Sequence, residues 1–193
     1  MTRKSFGLIG VLTLATLMVF PALAVAADVK APPGLSFELP VAMTCPGQAP
    51  DGQMVKVIMG RAKIPVKYDS FLEPKGLEGT NTLIVILGGS GKGLGSAGVD
   101  LKEEMKRAEG LIAEAQKRKI TLVGIHAGGE DRRGDVSMVL INLVAPKMQY
   151  LIVRDDGNKD GYFTKLSEQH KIPLSLVKDS QEMGEVLKTL FKK

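Results

Sequence analysis

The chain has 193 residues, 44% of them hydrophobic, and a formal net charge of +5, which suits one globular domain and argues against a disordered chain. Aromatic residues make up only 5% and tryptophan is absent, so an aromatic-rich carbohydrate binder is not favoured. The single cysteine excludes an intrachain disulfide framework and a cysteine-only zinc site. No stretch is more densely basic than an ordinary solvated face, and we therefore expect no nucleic-acid partner.

The first 26 residues have the pattern of a secretory signal peptide. Two basic residues precede the apolar run 6–20, which is followed by Pro21 and by small residues up to Ala26. We expect cleavage after Ala26 and a periplasmic or secreted product that meets the membrane only through the signal peptide before cleavage. An uncleaved anchor is the alternative, because the stretch 6–27 is long enough to cross a bilayer.

A proline-containing segment, 27–38, lacks periodicity and predicts a flexible arm ahead of a single domain at 39–193. The run 82–87 is apolar without alternation, as in a strand covered on both faces. Apolar runs predict strands at 39–44, 66–68, 82–87, 120–125, 150–153 and 174–177. Apolar stripes with the helical period and capping residues predict helices at 51–63, 100–118, 135–144, 161–170 and 180–191.

Strands and helices alternate about six times, which predicts an α/β fold. We expect a three-layer α/β/α sandwich around a mostly parallel sheet of five or six strands. The weak strand 66–68 looks like a sheet edge, which favours the flavodoxin-like order 2-1-3-4-5 with an added sixth strand. The Rossmann-like order 3-2-1-4-5-6 remains the alternative.

Glycines are concentrated in loops that follow three of the strands, at 88–98, 128–134 and 157–161. In open α/β sheets the ligand crevice forms at that edge, and glycine allows backbone N–H groups to approach an anion closely. We therefore predict that a small anionic or carboxylate-bearing ligand binds there. The predicted binding residues are Gln48, Gly88, Gly89, Ser90, Gly91, Lys92, Gly93, His126, Arg133 and Asn158.

Two nucleotide motifs nearly fit the first glycine loop. The stretch 93–98 matches G-x-G-x-x-G, but it does not open directly on the strand as the dinucleotide motif does. Lys92 is followed by glycine where a P-loop has serine or threonine. We expect no cofactor, and we expect Cys45 to be a small buried residue in a turn rather than a reactive thiol.

The second loop brings candidate catalytic groups together. His126 ends a predicted strand and could act as a general base, with Glu130 or Asp156 as its carboxylate partner and Arg133 as a clamp for a substrate carboxylate. This gives an alternative function, a small hydrolase or isomerase. That function requires His126 to lie within hydrogen-bond reach of a carboxylate and beside the first glycine loop. A charged surface turn is the simpler interpretation.

The third loop contains Asp156, Asn158 and Asp160 in a D-x-N-x-D-G string, which resembles the first half of a calcium loop. The twelfth position is Ser167, so the carboxylate that completes a calcium cage is missing. We predict no metal site, and instead a polar turn in which Asn158 and Asp160 cap the next helix.

Three strings together resemble a family of small exported bacterial α/β proteins known as a domain of unknown function: GGSGKGLG after TLIVIL, HAGGEDRRG after TLVGI, and GNKDGYFTKL after YLIV. The resemblance spans most of 40–177. It implies export and an α/β fold, and it assigns no reaction and no catalytic residue. The predicted function is therefore an exported binding protein that could serve a transporter or a sensor. A filled or flat strand edge would indicate an interaction module without a ligand site.

Overall fold

The computed structural model describes residues 31–32 and 34–191. The signal peptide predicted at 1–26 lies outside the described residues. Within the described ranges, no helix is both long enough and apolar enough to span a bilayer.

Six parallel strands form one sheet in the order β2-β1-β3-β4-β5-β6. This confirms the predicted α/β fold and the flavodoxin-like order with a sixth strand. The short strand β2 is one of the two outer strands of the sheet and is only half-buried, whereas the inner strands are covered on both faces. The strands are β1 (Val41–Thr44), β2 (Val66–Tyr68), β3 (Thr82–Ile86), β4 (Thr121–His126), β5 (Tyr150–Arg154) and β6 (Leu174–Val177).

Helices cover both faces of the sheet, which confirms the three-layer sandwich. Helices α1 and α6 pack on one face, and α3, α4 and α5 pack on the other. The five predicted helices are observed, and their ends agree with the prediction to within two residues. The helices are α1 (Asp51–Arg61), α2 (Gly91–Ala97), α3 (Leu101–Lys117), α4 (Asp135–Val144), α5 (Tyr162–His170) and α6 (Ser180–Leu190).

The short helix α2 is not predicted by the sequence pattern, because its glycine-rich composition favours a loop. Two capping residues determine it instead. Ser90 accepts a hydrogen bond from the Gly93 amide at its start, and Gly98 ends it in the left-handed conformation, with φ of 68°.

The hydrophobic core extends into the end of the segment predicted as a flexible arm. Phe37 is buried, and its ring centroid lies 5.9 Å from those of both Tyr150 and Phe191. Its amide also donates to the Leu190 carbonyl at 2.8 Å. The last residues of the arm are therefore packed against the domain.

Because all the strands are parallel, they all begin on one side of the sheet and all end on the opposite side. We call these two sides, which lie across the ends of the strands, the amino edge and the carboxyl edge. The carboxyl edge, where the strands end, carries the loops 45–50, 87–90, 127–134 and 155–161. The amino edge, where the strands begin, carries the turns 62–65, 118–120, 145–149 and 171–173. All the predicted site residues lie at or next to the carboxyl edge.

Candidate functional site

The first glycine loop, which follows β3, packs closely against the turn that follows β1. A Cβ atom on Gly93 would lie 2.1 Å from the carbonyl oxygen of Gln48, and one on Gly47 would lie 2.7 Å from the Cα of Gly89. Only glycine allows backbones to pass this closely. These glycines are thus required by loop packing, and the turn after β1 and the loop after β3 lie in contact across part of the gap predicted as a ligand crevice.

Three amides of this loop already have acceptors within the protein. The amide of Gly89 donates to Ser137 Oγ at 3.0 Å, that of Ser90 to the Gly47 carbonyl at 2.8 Å, and that of Gly93 to Ser90 Oγ at 3.0 Å. Ser137 Oγ donates in turn to the Gly89 carbonyl at 2.9 Å. The loop is therefore fixed to its neighbours, and these three amides are not open to an anion.

Gln48 belongs to a buried network around Glu104, a residue of α3 that is fully buried. Glu104 Oε1 accepts from the Gly47 amide at 2.9 Å and from Gln48 Nε2 at 3.2 Å, and Arg107 donates to both carboxylate oxygens at 2.8 Å. Burial raises the pKa of Glu104, but the hydrogen bonds from Arg107 and Gly47 outweigh that effect and lower it. The carboxylate stays charged and holds the turn after β1 in place.

The imidazole of His126 is completely buried, and both of its nitrogens face backbone carbonyls. Nδ1 lies 2.7 Å from the oxygen of Leu87, and Nε2 lies 3.0 Å from that of Gly129. Among the described residues, no carboxylate lies within hydrogen-bond reach of the ring. Burial lowers the pKa of His126, although the two carbonyl contacts oppose this shift. The geometry required of a general base is therefore not met.

Arg133 joins the second and third loops of the carboxyl edge. It donates to both oxygens of Asp160, at 3.1 and 2.8 Å, and to the carbonyl oxygen of Gly157. Its guanidinium also lies over the ring of Tyr162, 4.9 Å from the centroid. With its donors used in this way, Arg133 stabilises the loops instead of clamping a ligand.

Glu130 lies at the surface of the second loop and pairs with Lys159 of the third loop at 2.5 Å. Both side chains are mostly exposed. Glu130 therefore faces solvent, away from the buried ring of His126, and the two do not form the predicted acid–base pair.

The third loop is a capping turn, as predicted. Asn158 Oδ1 accepts from the Phe163 amide at 2.8 Å, and Asp160 accepts from another amide in the first turn of α5. Asp156 forms a two-point contact with Arg154, whose hydrogen bonds lower the pKa of that carboxyl. Among the described residues, no group of three or more His, Cys, Asp or Glu side chains could hold a metal ion.

One ion pair at the carboxyl edge was not predicted. Arg132 Nε donates to Asp51 Oδ2 at 2.8 Å, which joins the start of α1 to the loop after β4. A Cβ atom would lie 3.6 Å from Asp51 Oδ2 if built on Gly88, and 2.8 Å from Asp51 Oδ1 if built on Gly128, so both glycines flank the pair. No local sequence signal could identify it, because its partners are 81 residues apart.

Unused donors remain next to the loop 87–90. The ammonium of Lys92 is exposed and, within the described part of the chain, pairs with no carboxylate. Arg132 is about a quarter exposed, and no acceptor among the described residues contacts its Nη2. The hydroxyl of Ser90 accepts from Gly93, which leaves its own proton available to donate. Ser90 and Lys92 lie at the start of α2, and the side chain of Arg132 lies beside Gly88 in the loop before it, so these three groups are candidate donors to a small anion at the rim of the edge.

The sequence matches the family described as Domain of unknown function (DUF6305) over residues 38–191. The predicted resemblance to a domain of unknown function is thereby confirmed. No curated protein matches the sequence.

Two solved structures illustrate what the fold is similar to. The esterase EstA from Pseudoalteromonas sp., inhibited by monoethylphosphonate, is 12% identical over 77% of this chain and 92% of its own, with a TM-score of 0.31. AlinE4, an SGNH-hydrolase family esterase, is 14% identical over 72% of this chain and 77% of its own, with a TM-score of 0.29. Similarity at this level says nothing about activity.

Proposed function

We propose a binding function without catalysis for this chain, which belongs to the family described as Domain of unknown function (DUF6305). The ligand is a small anionic or carboxylate-bearing molecule, bound at the rim of the carboxyl edge. The observation that carries the proposal is the set of unused donors on Ser90, Lys92 and Arg132 beside a loop in which the amides of Gly89, Ser90 and Gly93 already donate within the protein.

The chemistry of these donors suits a carboxylate or a phosphate. An ammonium and a guanidinium form charge-assisted hydrogen bonds with such groups, and Ser90 adds a directional donor. Because the backbones of the two loops that follow β1 and β3 pass closely and narrow the gap between them, the ligand lies on the rim and stays partly solvated. We therefore expect weak binding that falls as salt concentration rises.

The two residues best suited to catalysis, Cys45 and His126, lie in surroundings that favour binding alone. Burial raises the pKa of the Cys45 thiol to about 12, which leaves no thiolate at neutral pH. His126 is buried with both nitrogens against carbonyls. The alternative function, a hydrolase or isomerase with His126 as general base, would need that ring to move and to gain a carboxylate partner.

Thermal unfolding with added ligands tests this proposal. We expect succinate, phosphate, sulfate or amino acids at about 10 mM to raise the melting temperature of the unmodified chain. The substitution Lys92→Gln should remove the rise, whereas Lys106→Gln, which removes an exposed lysine of α3, should preserve it. The absence of any rise, or an equal rise in the Lys92→Gln variant, would contradict the proposal.

We also propose that the chain is exported from the cytoplasm and serves a transporter or a sensor outside it. The support is the sequence pattern of residues 1–26. N-terminal sequencing of the protein recovered outside the cytoplasm should begin at Ala27. A product that keeps Met1 and stays in the membrane fraction would contradict cleavage and support the anchored alternative.

A further inference from the structure

The amino edge carries a row of lysines. Lys63, Lys119, Lys147 and Lys171 each lie in a turn that leads into a strand, and all four are exposed. Among the described residues, none of the four pairs with a carboxylate. Because these turns precede β2, β4, β5 and β6, the row spans the whole edge, about 24 Å at about 4.8 Å per strand.

Three of these lysines adopt a backbone conformation that glycine adopts more readily. Their φ angles are 58° for Lys63, 57° for Lys119 and 54° for Lys171, at positions just beyond a helix where glycine is the usual residue. A cation at a helix end is favourable, but Arg61 and Arg118 already supply one at the ends of α1 and α3. Helix capping alone does not explain why lysine takes the place of glycine three times.

The charge of this edge is only partly balanced by nearby acids. The turns before β1 and β3 add Glu38 and Glu78, and the helices add Glu168 together with Glu114 and Glu185, which pair with Arg118 and Lys188. Carboxylates such as Asp100, Asp155 and Asp179 lie at the opposite edge. The molecule is therefore electrically polarised along the strands. A flat anionic surface would be attracted to the amino edge and repelled by the other.

Apolar surface and the chain's entry point lie at the same edge. Leu39 is 38% exposed. The Ala31 amide donates to the Thr189 hydroxyl at 3.3 Å near the end of α6, so the first described residues also lie at this edge. A cavity of about 270 Å³ opens among apolar and basic side chains, namely Leu39, Ile64, Pro65, Phe191, Lys63 and Lys188.

We propose that the amino edge docks on the surface of an anionic phospholipid bilayer, in place of the expectation that the chain meets the membrane only through its signal peptide. The lysine row binds the lipid headgroups. Leu39 and the apolar side chains that line the adjoining cavity contact the acyl chains beneath those headgroups. Docking in this orientation leaves the carboxyl edge, with Ser90, Lys92 and Arg132, facing away from the bilayer. The inference does not depend on the proposed ligand binding, since it uses the opposite edge.

Vesicle co-sedimentation of the full chain tests the proposal. The test variant is K63G/K119G/K171G, in which glycine suits the left-handed backbone, so the fold should be retained. The control variant, K56A/K102A/K165A, removes the same charge from exposed lysines of α1, α3 and α5. Vesicles of phosphatidylcholine alone, and with added phosphatidylglycerol, separate binding through an apolar leader from binding through charge.

We expect the unmodified chain and the control variant to bind phosphatidylglycerol vesicles at least about a hundredfold more tightly than phosphatidylcholine vesicles, since each of the four lysines contributes roughly fivefold. The K63G/K119G/K171G variant should lose most of that preference, and about 0.5 M salt should abolish it in all three proteins. Equal binding by the two variants, or no preference for anionic vesicles, would overturn the proposal. Stronger binding to a soluble polyanion such as duplex DNA than to the vesicles would overturn it as well.

Discussion

Gly157 leaves space for the imidazole of His126 because glycine has no Cβ atom. A Cβ atom at this position would lie 2.6 Å from both Cδ2 and Nε2 of His126, and the ring has no free space because it is completely buried. The contact explains a glycine of the third loop, one of the three loops at the edge where the sequence pattern predicted ligand binding. The same pattern gave no indication of the close approach, because His126 is 31 residues away in the chain.

The substitution Gly157→Ala should therefore destabilise the domain by about 1–3 kcal/mol, since the ring or the backbone must shift. Urea denaturation followed by circular dichroism measures the effect. Gly95→Ala is the matched control, because a Cβ atom there meets no neighbouring atom within 4 Å and alanine is the better helix former. Equal effects of the two substitutions would show that the His126 contact has no energetic weight.

Burial of His126 also predicts how stability depends on pH. The pKa of this imidazole is lower in the folded chain than its ordinary value of about 6.5, because burial disfavours the charged ring. As the pH falls below that value, the unfolded chain binds a proton that the folded chain does not. The free energy of unfolding should thus decrease by up to about 2 kcal/mol between about pH 7.5 and about pH 5.

Urea denaturation at both pH values tests this prediction. The substitution His126→Gln should remove most of the pH dependence. His170→Gln, which replaces the exposed imidazole at the end of α5, should retain it. A full pH dependence in the His126→Gln variant would show that another group is responsible.

At the scale of elements, the Glu104 network joins α3 to the turn after β1. The substitution Glu104→Gln leaves the Arg107 guanidinium without its buried counter-charge, and should cost about 3 kcal/mol or more in the free energy of unfolding. Glu114→Gln is the control on the same helix. It breaks ion pairs with Lys117 and Arg118 that are partly exposed to solvent, and should have little effect in the same urea experiment.

Arg133 holds the loops after β4 and β5 together. The substitution Arg133→Lys keeps the charge but removes the two-point contact with Asp160, so amide hydrogen exchange in 127–134 and 155–161 should become about tenfold faster. Lys159→Ala breaks the other pair between these loops, which is exposed, and exchange should stay nearly unchanged. Similar exchange rates in the two variants would contradict this role of Arg133.

Elements were more predictable than the contacts between them. Apolar runs and helix caps such as Asp100 are local signals, so strand and helix bounds could be derived from adjacent residues. The acceptors of the loop amides are not local. Ser137 contacts Gly89 from 48 residues away, and Arg132 reaches Asp51 from 81 residues away. The location of the candidate site at the carboxyl edge could thus be predicted from the sequence. Which hydrogen-bond donors there lack a partner within the protein could not.

At the scale of the whole molecule, the alternation of strands and helices determined the fold, and the parallel sheet separated two edges of opposite charge. The net charge of +5 conceals this separation, because lysines are concentrated where helices end and carboxylates where helices begin. The predicted anion site therefore lies at the edge with more acids, where Lys92 and Arg132 are the cations with unused donors that, among the described residues, lie next to the loop 87–90. Ligand binding there depends on these two side chains rather than on the overall field.

Titration of the isotope-labelled chain with succinate or phosphate, followed by amide chemical shifts, tests that site most directly. We expect the largest shift changes in 88–93 and 128–133, saturating at about 10 mM ligand or below, and much smaller changes in the Lys92→Gln variant. The largest changes at Lys63, Lys119 and Lys171, or no saturable change anywhere, would contradict binding of a small anion at the carboxyl edge.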